Sequence, residues 1–178
     1  MRYPIPDNAH KWALANCSNA AFNGTTLLKG GTGQYVGYIG EAVFGRWLTD
    51  HEIPFDYIGK DSYNADFSVK GLTFDVKTKN RTVLPKSDYA AQVPMSQKGQ
   101  ETTFYVFTSV LMVRDRAACC DLMGFISKGQ FWANCEEVVP GTTHGNGMTE
   151  RTQAGTLPYI SLRSMDDLNR NLKLFLKG

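Results

Sequence analysis

The sequence predicts an α+β fold, within the broader α/β class, in which helices flank a mixed central β-sheet in a single domain. Residues 66–79 alternate apolar and polar side chains on either side of Lys70-Gly71, a pattern typical of a β-hairpin. Residues 103–113 form an almost continuously apolar run, which is typical of a strand buried on both faces. Residues 34–49 and the segment after Ser164 carry apolar residues at helical spacing.

The N-terminal part is predicted to contain two helices. The first begins near Pro6-Asp7 and ends at Gly24, and a glycine-rich linker follows at residues 29–33. The linker lacks the Lys-Ser/Thr pair of a phosphate-binding loop. We divide the chain into an N-terminal helical extension, residues 1–32, and a core domain, residues 33–178. The second helix is expected over residues 34–49, and its buried stripe would consist of Val36, Ile39, Gly40, Val43, Trp47 and Leu48.

The remaining elements are predicted from turn and capping residues. Short strands are expected at 55–58, 89–95, 122–126 and 159–162, with a basic, proline-broken loop at 79–86 and a polar loop at 141–155. The 122–126 strand would run antiparallel to the apolar strand through a turn at residues 114–116. Ser127 and Ser164 are expected to cap helices, the first of which would carry Phe131, Trp132 and Cys135.

Composition excludes few functions. The chain has 178 residues, a net charge of +2 and four cysteines without C-x-x-C spacing, so a structural zinc site is not indicated. The three histidines are far apart in sequence and form no ligand set. No apolar run reaches membrane-spanning length, and the N-terminus does not resemble a signal peptide. We therefore expect a cytoplasmic protein with no membrane partner.

The hairpin places two aspartates in an unfavourable position. With a two-residue loop at Lys70-Gly71, Asp66 lies directly across from Asp75, and Lys77 shares their face. Opposed carboxylates with Cβ atoms roughly 5 Å apart destabilise a sheet. A divalent cation would relieve that repulsion, because Mg²⁺ binds one or two carboxylates together with waters and phosphate oxygens. The alternative is a solvated sheet face on which both aspartates point into water.

A third carboxylate comes from the second helix. Glu41 lies at the edge of its apolar stripe, with Gly37 one turn before and Gly45 one turn after. Each glycine inside a helix costs about 1 kcal/mol relative to alanine, which suggests that another group approaches the helix closely there. Close packing of the helix against the sheet also favours glycine, and the two interpretations are compatible.

This order of residues, a helical Glu, then a strand Asp and then Asp-x-Lys, resembles the pattern of the PD-(D/E)xK nuclease superfamily. Members of that superfamily have a restriction-endonuclease-like fold. The pattern maps onto Glu41, Asp66, Asp75 and Lys77, and similarity to the small phage and bacterial members covers roughly residues 33–177. Asn64-Ala65 stand where the superfamily name has proline. The resemblance implies that Asp66, Asp75 and the carbonyl oxygen of Val76 ligate Mg²⁺, with Mn²⁺ as a substitute.

The resemblance further implies that Glu41 assists the metal directly or through water. Lys77 would orient or deprotonate the attacking water, or would stabilise developing charge. Lys79, Arg81 and Lys86 could hold a DNA backbone beside the site, although a solvated basic loop explains them equally well. Tyr89 and Gln92 are added as nucleic-acid-binding candidates because some exonuclease-like relatives place Gln and Tyr near the metal.

The resulting expectation is a Mg²⁺-dependent deoxyribonuclease in a bacterial cell, encoded by the bacterium or by a phage. It would act in DNA recombination, repair or phage DNA processing. The alternative is a catalytically inactive nucleic-acid-binding or assembly protein on the same fold. An enzyme of another chemistry that uses the loop at residues 145–147 has no nucleophile–base pair nearby. The sequence shows no oligomer interface and does not distinguish endonuclease from exonuclease action.

Overall fold

The structure is a computed structural model that describes residues 1–19, 32–59, 62–143 and 149–178. Its helices are α1 (Ala9–Asn19), α2 (Thr32–Asp50), α3 (Lys128–Asn134) and α4 (Met165–Lys177). Its strands are β1 (Arg2–Tyr3), β2 (Asp56–Tyr57), β3 (Phe67–Val69), β4 (Leu72–Arg81), β5 (Ala90–Pro94), β6 (Phe104–Val113), β7 (Arg116–Ser127), β8 (Glu136–Val138) and β9 (Ala154–Pro158).

The strands form two sheets. The main sheet has the order β1-β7-β6-β4-β3-β2, in which β4 and β6 pair in parallel and the other neighbours are antiparallel. The small sheet has the order β5-β9-β8 and is antiparallel throughout. The predicted mixed sheet with flanking helices is therefore confirmed.

The β3–β4 hairpin has the predicted register over its three ladder pairs, but the ladder ends before Asp66 and Asp75, which were expected to face each other directly. Val69 pairs with Leu72 and Phe67 pairs with Phe74 across the two-residue turn. Lys70 and Gly71 have φ values of 46° and 84°, as a tight hairpin turn requires at both central positions. Because β3 begins only at Phe67, it covers the first residues of β4 and leaves the rest of that edge of β4 without a strand partner among the described residues.

The larger core lies between the main sheet and α2. Val36, Ile39, Val43, Trp47 and Leu48 are all fully or almost fully buried, so the predicted stripe of α2 is confirmed. Ala9 and Ala13 of α1 belong to the same core, and β1 adds an unforeseen strand to the edge of the main sheet. The predicted end of the first helix at Gly24 and the linker at residues 29–33 fall wholly or mainly outside the described residues.

Gly40 is a point of very close approach between α2 and the sheet. A Cβ atom at this position would lie 2.1 Å from Thr78 Oγ1 and 2.6 Å from Thr108 Oγ1. The two threonines hydrogen-bond to each other across β4 and β6, with Thr108 Oγ1 donating to Thr78 Oγ1 over 2.9 Å. Both side chains are short and β-branched, and their hydroxyls are bonded to each other, so an added methyl group would have to displace this bond or the helix. Position 40 therefore favours glycine strongly.

A second core lies on the opposite face of the main sheet. Tyr105 and Phe107 of β6 contact Phe131 of α3. Val93 of β5 and Leu157 of β9 belong to the same cluster, so the small sheet packs on this core. Strand β6 is thus buried on both faces, as its apolar run predicts. Residues 114 and 115 form the tight turn into β7, which starts earlier than the predicted 122–126 segment.

The sequence prediction is wrong at the end of the small sheet. Residues 159–161 form a 3₁₀ turn, and the strand lies just before them, in β9. Gly155 of β9 packs so tightly that an added Cβ would lie 2.8 Å from the Trp132 ring and from Cys135 Sγ, so this glycine marks close packing and not a loop. Strand β8 was not expected, and residues 145–147 lie outside the described residues.

Two further boundaries differ from the sequence prediction. Lys79 to Arg81 continue β4 and do not belong to the basic loop, because parallel pairing with β6 extends as far as Arg81 and Leu111. Cys135 caps the C-terminus of α3. Ser127 and Ser164 cap α3 and α4 as predicted, each accepting a hydrogen bond from the backbone three residues on. Among the described residues, none of the helices has the length and hydropathy needed to span a bilayer.

Two glycines one turn apart on α2 provide a test of the helix–sheet contact. Gly40→Ala should lower the free energy of unfolding by about 1–3 kcal/mol, because the methyl group overlaps both threonine hydroxyls. Gly37→Ala is the matched control, since a Cβ there meets nothing within 4 Å. It should leave stability unchanged or raise it by up to about 1 kcal/mol. Urea denaturation measures both, and equal stability of the two variants would contradict the tight contact.

Candidate functional site

Three of the predicted side chains, Asp66, Asp75 and Lys77, meet beside the first residue of β3. Asp75 is only 6% exposed, and its Oδ2 lies 2.5 Å from Lys77 Nζ. Asp66 is the residue before β3, and its Oδ2 accepts a hydrogen bond of 2.7 Å from the backbone N–H of Val76. The Asp66 carboxylate therefore takes the place of a ladder partner for β4. A solvated face, the alternative considered for the hairpin, is wrong for Asp75.

The backbone of Val76 faces the cluster formed by Asp66, Asp75 and Lys77. Its N–H bonds to Asp66, so it points away from β6 and toward the open edge of β4. In a β-strand the N–H and C=O of one residue point to the same side, so the Val76 carbonyl also faces this edge. Asp75 and this carbonyl oxygen thus lie on one stretch of β4, and Asp66 comes beside them from the residue before β3.

Glu41 reaches the cluster from α2 and is held there by a tyrosine. Tyr57 of β2 donates a hydrogen bond of 2.8 Å to Glu41 Oε2. The Tyr57 ring is fixed by edge-on contacts with Trp12 of α1 and Phe67 of β3. Tyr57 carries no sequence signal for this role, because its contact with Glu41 depends on how α2 and the edge strand β2 are brought together.

The three carboxyl groups shift one another's pKa values. Burial raises the pKa of Glu41 to about 7, and the charge of Asp75 adds to that shift against the hydrogen bond from Tyr57. Burial, with the nearby charges of Glu41 and Asp75, raises the pKa of Asp66 well above its ordinary value. Burial also raises the pKa of Asp75, although the Lys77 ammonium opposes this. Burial and mutual repulsion thus act together on the three carboxyls in the metal-free protein, and the Lys77 ammonium offsets part of that repulsion.

Lys77 is positioned by a buried glutamine that the sequence did not reveal. Gln100 is 5% exposed and accepts a long hydrogen bond of 3.4 Å from Lys77 Nζ, while its own Nε2 donates to the carbonyl oxygen of Tyr63 over 2.6 Å. The Lys77 ammonium also lies 5.7 Å from the centre of the Tyr105 ring. Asp75, Gln100 and Tyr105 together restrict Lys77 to one direction.

The donor set suits Mg²⁺ better than a transition metal. In the part of the chain that the structure describes, no group of three or more His, Cys, Asp and Glu side chains is arranged to hold a metal ion. Mg²⁺ does not need such a group, because it binds one or two carboxylates and retains several waters. Asp66, Asp75 and the Val76 carbonyl are hard oxygen donors of this kind. Asp75 Oδ2 is buried and, apart from the Lys77 ion pair, makes no hydrogen bond.

A cleft of about 1020 Å³ runs along the open edge of β4. One wall is the start of α2, where Gly37 and Tyr38 lie beside Glu41, and the other is the small sheet with residues 149–152. The residues of β4 from Val76 to Asn80 form its floor, so Lys77 and Glu41 both line it. Asp66 and Asp75 are not lining residues and lie next to those that are.

The proposed nucleic-acid-binding residues divide into two groups. Lys79 and Gln92 both line the cleft, where Lys79 Nζ donates to Gln92 Oε1 and Gln92 Nε2 donates to Glu150 Oε2 over 2.7 Å. Burial lowers the pKa of Lys79, and the charge of Glu150 opposes the shift. Arg81 and Tyr89 lie outside the cleft lining, with the guanidinium 4.5 Å from the Tyr89 ring centre.

Lys86 is exposed and is not among the residues that line the cleft. Arg81 also donates to the Tyr159 hydroxyl over 3.3 Å, so two tyrosines hold its side chain.

Comparison with known proteins returned no match: no family model, no curated protein and no solved structure is significantly similar to this chain. The case for a function therefore depends on the geometry of the cluster and its cleft.

The raised carboxyl pKa values predict an unusual pH dependence. At Glu41 the native state binds more protons than the unfolded state between pH 4.5 and 7, and Asp66 and Asp75 shift in the same direction. These three groups should therefore make the stability of the metal-free protein fall as pH rises through this range. Asp66→Asn keeps an acceptor for the Val76 N–H and removes one negative charge. At pH 8 without metal it should raise stability by about 1–2 kcal/mol, roughly 3–6 °C in Tm.

Asp121→Asn is the control for that measurement. Asp121 is a second buried aspartate of the main sheet, but it pairs with Arg2 over 3.3 Å, so its neutralisation should lower Tm. Mg²⁺ should raise the wild-type Tm more at pH 8 than at pH 5.5, and should have little effect on Asp66→Asn. A lower Tm for metal-free Asp66→Asn at pH 8 would refute the repulsion argument.

The Tyr57 hydrogen bond gives a separate prediction. Because this bond holds the Glu41 pKa down, Tyr57→Phe should raise that pKa further above about 7. Carboxyl carbon NMR titration of the metal-free protein would measure it. Tyr3→Phe is the matched control, since it removes a tyrosine–carboxylate hydrogen bond to Asp50 at the other end of α2. An unchanged Glu41 titration in Tyr57→Phe, equal to that in Tyr3→Phe, would count against the assigned bond.

Proposed function

We propose that the protein is a metal-dependent deoxyribonuclease of the PD-(D/E)xK type that hydrolyses DNA phosphodiester bonds. The observation that carries this proposal is the buried Asp75–Lys77 ion pair beside Asp66, at the edge of a cleft that Glu41 also lines. A structural protein gains nothing from three mutually repelling carboxyls next to a lysine, because their repulsion lowers stability. The order helical Glu, Asp, Asp-x-Lys adds support through its resemblance to that superfamily.

Asp66, Asp75 and the Val76 carbonyl would hold Mg²⁺, and Glu41 would contact it directly or through water. When bound, the metal neutralises phosphodiester charge and lowers the pKa of a bound water. The raised pKa values of the carboxyls fit this role, because groups that repel one another are stabilised by a shared cation.

The remaining roles follow from the side chains themselves. Lys77 lines the cleft, so its ammonium can donate a hydrogen bond to a phosphate oxygen or to the attacking water. Gln100 and Asp75 hold that ammonium in place before substrate arrives, which reduces the reorganisation needed at the reacting centre. Tyr57 orients Glu41. Low solvent access around Asp75 strengthens each of these interactions.

Two substitutions test the catalytic assignment. Asp75→Ala and Lys77→Ala should each reduce Mg²⁺-dependent DNA cleavage by at least about 10²–10³-fold, since each removes a group that acts on the transition state. Asp121→Ala is the control, because it removes a buried, ion-paired aspartate of the same sheet that does not line the cleft. Its activity should stay close to wild type once folding is verified. Wild-type rates in both site variants would refute the proposal.

Metal titration separates the proposal from a non-catalytic nucleic-acid-binding or assembly protein. Calorimetric titration with Mn²⁺ should show binding to the wild-type protein that is lost in Asp75→Ala and weakens as pH falls below about 7, because protons then compete for the raised-pKa carboxyls. The absence of carboxylate-dependent Mn²⁺ binding, together with intact DNA binding, would favour the non-catalytic alternative.

A further inference from the structure

The substrate that the cleft can admit follows from its shape. The floor from Val76 to Asn80 spans four residue steps, about 13 Å of strand. The volume of about 1020 Å³ lies at the upper end of the range of ~300–1000 Å³ for small-molecule pockets. A space of this length and volume takes two or three nucleotides, and a continuous duplex is far larger.

The reacting groups are recessed within this space. Asp75 is 6% exposed and the Lys77 side chain is 12% exposed, with α2 on one side and the small sheet on the other. A phosphate must pass between the two walls to reach Lys77. An intact duplex is hindered here, because its paired partner strand must stay beside the backbone that enters. An unpaired strand can enter without that partner.

The charges that line the cleft also favour a single strand over a duplex. Among the described residues the cleft is lined by three basic side chains, Lys77, Lys79 and Arg151, and by two acidic ones, Glu41 and Glu150. Proteins that hold duplex DNA through its backbone often neutralise about 6–10 phosphates. This cleft offers too few cations for that, and the net charge of the whole chain is only +2.

The cations are arranged in a line. Lys77 and Lys79 lie on the same face of β4 and are about 6.6 Å apart along the strand. The N–H groups of Thr78 and Asn80 alternate with them and, by the same period as Val76, point to the open edge. Tyr38 adds a half-buried ring to the wall, of the kind on which bases stack. A linear track of donors and cations matches an extended single-strand backbone.

We propose that the cleft binds single-stranded DNA, as a free strand or an unpaired end or flap, and that this is the substrate class of the nuclease activity. This inference depends on the proposed function for its cleavage step, but not for the binding of the strand. Gly37 forms part of the cleft wall, and a Cβ there meets nothing within 4 Å, so a larger side chain would enter the cleft without disturbing the helix.

The first experiment compares DNA forms with Mg²⁺ present. The substrates are an unstructured single strand, a duplex with a single-stranded tail, and a relaxed, covalently closed duplex minicircle that is fully paired and has no ends. The single strand and the tail should be cut at least about 100-fold faster than the closed duplex. Comparable cutting of the closed duplex would overturn the substrate inference and leave the nuclease proposal intact.

The second experiment reads binding without cleavage. Fluorescence anisotropy with Ca²⁺ in place of Mg²⁺ should show the single strand bound at least about 10-fold more tightly than the closed duplex. For two or three phosphate contacts, the slope of log K against log salt should be about −1.4 to −2.1. Gly37→Leu should weaken single-strand binding at least about 10-fold while Mn²⁺ titration stays unchanged.

Gly129→Leu is the matched control, since Gly129 also lies in a helix, has nothing within 4 Å of an added Cβ and does not line the cleft. Equal binding by Gly37→Leu and Gly129→Leu would overturn the inference. Cleft-dependent binding of the single strand with no metal-dependent cleavage of any DNA would sustain the binding inference and refute the nuclease function. The two failures are therefore distinguishable.

Discussion

The close approach of α2 to the parallel β4–β6 pair is the constraint on which the rest of the structure depends. Glycine is strongly favoured at position 40, where the helix rests on the hydroxyls of Thr78 and Thr108. That contact sets the depth of α2 against the sheet, and Glu41 is the next residue along the helix. Since β3 begins only at Phe67, the edge of β4 beyond it has no strand partner among the described residues, and Glu41 lines the cleft along this edge. The site exists because one helix is pressed close and one strand is short.

The acidic cluster reduces stability, and the fold compensates for this around it. Trp47, Phe44, Phe67 and Phe74 form a dense aromatic core directly beneath the hairpin, with ring contacts between 5.2 and 5.9 Å. Aromatic pairs of this kind contribute about 0.5–1.5 kcal/mol beyond their burial. This anchoring lets the hairpin keep its register although Asp66 and Asp75 repel each other at its end. Clusters of carboxyls with perturbed pKa values are commonly found at functional sites.

The local parts of the structure could be predicted from sequence, and the long-range parts could not. The hairpin register follows from a period of two and a Lys-Gly turn, and the stripe of α2 from helical spacing. Both are properties of neighbouring residues. By contrast, Tyr57 and Gln100 act on Glu41 and Lys77 from 16 and 23 residues away along the chain. Nothing adjacent to either residue marks that role. Strand β9 was missed because its Gly155 looks like a loop residue until Trp132 is placed against it.

In the proposed nuclease, the small sheet would determine which DNA reaches the cluster. Without β5 and the segment after residue 148, the open edge of β4 would be a shallow surface that a duplex could approach from the side. With them, hydrogen bonds between the side chains of Lys79, Gln92 and Glu150 close one side of the cleft. The bond to Gln92 also holds the Lys79 side chain in line with Lys77. Sequence motifs describe the carboxylates and the lysine but carry no information about this wall. Two proteins with the same four site residues would therefore differ in substrate if one lacked the small sheet, because access to the reacting groups, and not their chemistry, would set the choice.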